Sequence, residues 1–129
     1  MLAIDTNVIV RYLLDDDPDQ SSAARRLIDE HEVFVPTTVI LETEWVLRSS
    51  YRLPPAAINK TLRQFAGLPT VNLENPPLVA QALAWFENGL DFADALHKAS
   101  SGHCEAFYTF DRHLVRSVTP DGIEALRPT

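Results

Sequence analysis

The sequence predicts an α/β fold: a central, mainly parallel sheet with helices on both faces. Short apolar runs rich in Val, Ile, Phe and Tyr alternate with segments of helical periodicity, and most junctions between them carry a capping side chain or a helix-opening proline. Helical segments between successive strands demand crossover connections, which favour parallel pairing. The order reads β-α-α-β-α-α-β-α-α-β-β. With 129 residues and no internal repeat, low-complexity tract or linker, one domain over 1–129 is expected, large enough to bury a core unaided.

Leu2-Ala3-Ile4 is the first strand, and Val8, Ile9, Tyr12 and Leu13 then recur at helical spacing, with Asp5 or Thr6 as the cap. Asp15-Asp16-Asp17-Pro18-Asp19 is a polar break whose proline opens a helix with Ala23, Ala24, Leu27 and Ile28 on its apolar side. Val33-Phe34-Val35 is a buried strand closed by Pro36. Thr37 or Thr38 is expected to cap the next helix, carrying Val39, Ile40, Glu42, Val46 and Leu47. Pro54-Pro55 opens a helix with Ile58, Leu62 and Phe65 on one side, which Gly67 and Pro69 end. Val71 and Leu73 mark the third strand. Asn75-Pro76-Pro77 starts a helix through Trp85 and Phe86 that Gly89 closes, and another spans roughly Phe92 to Ser101. Ala106–Phe110 and Gly122–Leu126 are the last two strands.

Eighteen acids against eleven bases give a formal charge of −7, which repels phosphate at long range and argues against a basic nucleic-acid-binding module. The 46% apolar fraction excludes a disordered acidic tail. Cys104 is the only cysteine, so an internal disulfide and a polythiolate zinc site are excluded. The N-terminus lacks a signal-peptide pattern, and no apolar run is long enough to span a membrane; a cytoplasmic protein is expected.

Four acids sit where a core tolerates them only with a cation, hydrogen-bond donors or exposure: Asp5 and Asp111 at strand ends, Glu42 in an apolar helix approach, and Asp94 within Phe92-Ala93-Asp94-Ala95-Leu96. Taken singly each reads equally as a cap or an exposed residue. If the strands before Asp5 and Asp111 are neighbours, these two carboxylates stand within about 5 Å, and a divalent cation would remove their repulsion. Oxygen ligands without a Cys or His cluster favour Mg²⁺ or Mn²⁺ over Zn²⁺. Asp91 shares a helix face with Asp94 and is either a second acid of the group or only a cap. Glu44 turns to a different face from Glu42 and is expected to be solvated. His31, His97, His103 and His113 form no ligand pair. The chain has no Gly-x-Ser-x-Gly elbow and no Gly-rich phosphate loop.

Ile4-Asp5-Thr6-Asn7-Val8, Leu41-Glu42-Thr43-Glu44-Trp45-Val46-Leu47-Arg48, Asp91-Phe92-Ala93-Asp94-Ala95-Leu96 and Thr109-Phe110-Asp111-Arg112 together resemble a PIN domain, and more narrowly the VapC toxins of bacterial toxin-antitoxin pairs. The resemblance implies a three-layer α/β/α sandwich and a metal-dependent endoribonuclease. By position, Asp5, Glu42, Asp94 and Asp111 match the family's four acids, with Asp5, Asp94 and Asp111 as metal ligands. Thr6 and Asn7 match the polar pair that orders ligands and water. His113 stands where the family often has a further acid. The resemblance further implies Mg²⁺, for which Mn²⁺ can substitute, an RNA substrate, a homodimer, and a VapB-like antitoxin that covers the active site. Arg11, Arg48, Arg52, Arg112 and Arg116 adjoin the acids and are candidate phosphate contacts.

Two other classes remain. A haloacid-dehalogenase-like phosphatase also places an Asp after its first strand, but wants a second Asp where Asn7 stands and a catalytic Lys, for which only Lys60 and Lys98 are available. A catalytically inactive PIN-fold binding protein is favoured only by His113. A receiver domain lacks its phosphorylatable Asp and its Lys. Setting aside Asp5, Glu42, Asp91, Asp94, Asp111 and the four acids of the Asp15–Asp19 turn, nine acids face eleven bases. The acidity is therefore local, and a cation there would turn repulsion of phosphate into attraction.

Overall fold

Val33 and Val35, both fully buried, fix the centre of a three-stranded sheet. The computed structural model describes residues 1–129, which divide into two units, Met1–Pro76 and Pro77–Thr129. In the first, β1 (Leu2–Ala3), β2 (Val33–Val35) and β3 (Val71–Leu73) pair in parallel in the order β1-β2-β3, with Leu2 opposite Val33 and Val33 opposite Val71. Each crossover is a helix pair: α1 (Thr6–Leu13) and α2 (Pro18–Glu30), then α3 (Thr37–Ser49) and α4 (Pro55–Ala66). The α/β class and parallel pairing expected from the sequence are those observed.

Local chemistry sets most boundaries. Asp5 caps α1, its carboxylate accepting from the Thr6 amide at 2.7 Å. Asp17 caps α2 ahead of Pro18. α4 buries Ile58, Leu62 and Phe65 and ends at Gly67. The α3 cap differs from expectation. Pro36 holds the cap position without a side-chain bond, Thr37 and Thr38 lie inside the helix, and Glu74, just after β3, accepts from the Thr37 amide at 2.9 Å.

Glu44 also departs from expectation: it is 1% exposed rather than solvated. Helix α3 turns Ile40, Thr43, Glu44 and Leu47 inward, an i, i+3, i+4, i+7 set. One turn on, Arg48 reaches back, its Nε donating to Glu44 Oε2 at 2.8 Å. The buried carboxylate is thus paired and the apolar stripe stays intact.

The second unit begins in the first turn of α5 (Pro76–Glu87) and holds the rest of that helix, α6 (Phe92–Ser100), β4 (Phe107–Tyr108), α7 (Arg112–Arg116) and β5 (Ala125–Leu126). Phe86 and Phe92 meet edge to face at 5.5 Å. Strand β4 pairs in parallel with β5, Phe107 opposite Ala125, and both are shorter than the runs Ala106–Phe110 and Gly122–Leu126. Helix α7 was not expected; its five residues are too few to show periodicity. The hydrogen-bonded ladders are thus two, β1-β2-β3 in the first unit and β4-β5 in the second.

The turn leading to β5 is pinned from α5 and α6. Trp85 Nε1 donates to the Pro120 carbonyl at 3.1 Å, and Lys98 Nζ donates to Thr119 Oγ1 at 2.5 Å while lying 5.8 Å from the Trp85 ring centre. Lys98 is 1% exposed, and burial pushes its pKa down. A Cβ on Gly122 would stand 2.7 Å from Trp85, so only glycine fits unless the turn moves. No helix is long and apolar enough to cross a membrane.

Replacing Arg48 leaves Glu44 buried without its charged partner. Arg48→Met is expected to lower the free energy of unfolding in urea by about 2–4 kcal/mol, and Glu44→Gln in that background to recover part of the loss.

Candidate active site

In the first unit, Asp5, Thr6 and Asn7 come from the start of α1 and Glu42 from the second turn of α3. They line a cleft of about 310 Å³ together with Arg11 and Tyr51. Thr6 is 5% exposed, and its hydroxyl donates a short hydrogen bond to Glu42 Oε1. Asp5, Asn7 and Glu42 are exposed. Thr6 therefore fixes one oxygen of Glu42, while its own amide fixes one oxygen of Asp5. The other oxygen of each acid is left without a hydrogen bond inside the protein.

In the second unit, Asp91, Asp94 and Asp111 are brought together. Asp91 is the cap of α6, its Oδ2 accepting from the Asp94 amide at 3.1 Å, and Asp111 caps α7, its Oδ1 accepting from the Leu114 amide at 3.0 Å. Asp94 sits in the first turn of α6, half-buried. Its pKa is pushed up, first by partial burial and then by the charges of Asp91 and Asp111, against the opposing influence of His97 and His113.

These groups suit a hard cation. The donors are carboxylate oxygens, and the repulsion at Asp94 is what a positive ion relieves. No three His, Cys, Asp or Glu side chains form a group that could hold a metal ion by themselves. Mg²⁺ requires no such cage, since it takes one or two carboxylates and keeps several waters.

The candidate phosphate-binding arginines divide into two kinds. Arg11 is held by Asp16 at 2.8 Å and by Gln20, and Arg48 by Glu44. Arg52 is exposed, at a positive φ of 53°. Arg112 and Arg116 line a second-unit cleft with Phe110 and Arg127. Sequence reasoning missed those last two residues, which pairing of β4 with β5 brings together.

The raised pKa of Asp94 has a defined sign in stability. The folded state holds its proton to higher pH than the unfolded chain, so stability falls as pH rises from the ordinary aspartate value through the raised one. Asp94→Asn is therefore expected to raise the Tm of the metal-free protein at neutral pH, by up to about 4 °C given solvent screening, and to give no gain once the wild-type carboxyl is protonated. Thermal melts in EDTA at the two pH values check this.

No curated protein sequence matches the chain. Among solved structures it is similar to that of Mycobacterium tuberculosis VapC20, described as a sarcin-ricin loop cleaving toxin, at 20% identity and a TM-score of 0.45, covering 86% of this chain and 90% of that one. The family model for the PIN domain matches residues 2–117, nearly the whole length, and the chain belongs to the PIN-domain family.

Proposed function

We propose that residues 1–129 act as one PIN domain, a Mg²⁺- or Mn²⁺-dependent endoribonuclease that is the toxic member of a VapC-type toxin-antitoxin pair. The observation that carries this reading is the gathering of Asp91, Asp94 and Asp111 at the starts of α6 and α7, where Asp94, disfavoured as a carboxylate by partial burial, also meets the charges of the other two. Asp5, Asp94 and Asp111 are the residues to hold the metal, and Glu42 completes the acidic group or orients the attacking water. Bound there, the ion would supply a water made nucleophilic at neutral pH and would stabilise charge on the phosphate.

The chain's own residues then have distinct tasks. Thr6 holds Glu42 in one rotamer through its hydroxyl. Asp91 and Asp111 are kept in place by the helix amides they cap, and Asn7 is available at the cleft to hydrogen-bond water or substrate. The same reading gives the protein an RNA substrate, a VapB-like antitoxin, a homodimeric state and a cytoplasmic location. The rival is a PIN-fold protein that only binds a partner, for which His113 in place of an acid is the supporting feature.

Purified protein is expected to cut RNA with Mg²⁺ or Mn²⁺ and to lose that activity in EDTA. Asp94→Asn should abolish cleavage, at least about a hundredfold, with its circular dichroism unchanged. Undiminished cleavage by that variant sinks the assignment, and absence of any cleavage by the wild type favours the binding-only rival. Thr6→Val, which keeps shape but removes the bond to Glu42, is expected to slow cleavage about 10- to 100-fold with little loss of stability, read from single-turnover rates.

A further inference from the structure

The second unit gathers its exposed positive charge in one place. Its formal cations are Lys98, Arg112, Arg116 and Arg127; Lys98 is buried, and the three arginines line a single cleft of about 350 Å³ with Phe110 and Val115. Arg112, Val115 and Arg116 fall on one face of α7 at i, i+3 and i+4. The hydrogen bond from the Thr109 amide to the Leu126 carbonyl, 2.9 Å, sets the following residues side by side, and the Arg127 guanidinium lies 5.3 Å from the Phe110 ring centre.

None of the three guanidinium groups meets a carboxylate, unlike those of Arg11, Arg25 and Arg48. The unit carries seven acids, yet they leave this cleft unneutralised. Phe110 is 66% exposed, a large apolar ring turned to solvent among cations. Unpaired guanidinium groups around an open aromatic face are the combination that holds single-stranded nucleic acid: phosphates on the cations, a base on the ring. A duplex has no unstacked base to offer, and an acidic peptide would leave the ring unused.

We infer that this cleft is a subsite for a single-stranded RNA segment, with Arg112, Arg116 and Arg127 on its phosphates and Phe110 stacked against a base. The inference rests on the nuclease reading above and adds to it where the substrate is gripped. Asp111 lies between Phe110 and Arg112 in the chain, so a strand seated here runs past one of the acids proposed to hold the metal. Holding the strand and cutting it are thus assigned to adjoining residues.

Fluorescence anisotropy of the full chain with a short fluorescein-labelled oligouridylate, at low salt in EDTA so that nothing is cut, tests the subsite. Arg116→Gln and Arg127→Gln are each expected to weaken binding about tenfold and to lower the slope of log affinity against log salt by about 0.7 for each phosphate no longer neutralised. Phe110→Leu is expected to weaken binding about tenfold with the slope unchanged, and Phe110→Trp to restore it. Circular dichroism melts establish that each variant folds. Unchanged affinity in the Arg116→Gln, Arg127→Gln double variant overturns the inference, as does wild-type protein that fails to bind. Displacement of the RNA by polyglutamate with no dependence on residue 110 also overturns it, marking a protein-docking surface. The assay contains no metal, so its outcome is independent of catalysis: wild-type protein that binds here but never cleaves RNA with Mg²⁺ overturns the nuclease reading and leaves the subsite standing.

Discussion

A helix must satisfy the amides of its first turn, and this chain does so at four junctions with an aspartate, Asp17 at α2 being one. Asp5, Asp91 and Asp111 each give one carboxylate oxygen to a backbone N–H at the start of α1, α6 and α7. The rotamer of each acid is then set by folding itself, and the entropy of ordering it is already spent before any ligand arrives. The second oxygen stays available. At these positions the cap itself aims an acid proposed for the site, so no dedicated cage is needed to place it.

The chain treats its other acids differently. Asp16 accepts from Arg11 at 2.8 Å and from the Tyr51 hydroxyl at 2.7 Å, and the Tyr51 bond first, then Arg11, hold its pKa down. Glu44 is buried against Arg48. Asp94 shifts in the opposite direction, raised first by partial burial and then by the charges of Asp91 and Asp111, which outweigh His97 and His113. Asp16 and Glu44 are paired, whereas Asp94 is held where ionisation is disfavoured, a cost of the kind found at functional sites.

Sequence periodicity made the helices legible because their ends carry strong local signals: Pro18 behind Asp17, Pro55, Gly67, and the Ile58-Leu62-Phe65 stripe. The candidate acids were legible for the same reason, since each stands at a capping position or in a short motif. What depended on partners distant in sequence was not legible. Glu44 looks like any helix-surface acid until the fold is seen to bury it, and the α3 cap comes from Glu74, over thirty residues away. Nor does a sequence distinguish Arg11, which is engaged, from Arg116, which is open. The meeting of Phe110 with Arg127 exists only through the β4–β5 pairing, and the strands that form it are two residues each.

The turn at Gly122 gives these observations another meaning. Trp85 and Lys98 clamp residues 119–120 from helices laid down well before β5, and the contact with Gly122 admits no side chain. The position of Arg127 is therefore inherited from a tryptophan that never approaches the cleft. Position 122 is thus set apart from the acids: any residue larger than glycine there would shift the turn, and with it the strand that leads to Arg127 and the RNA grip proposed for it, without altering a single acid.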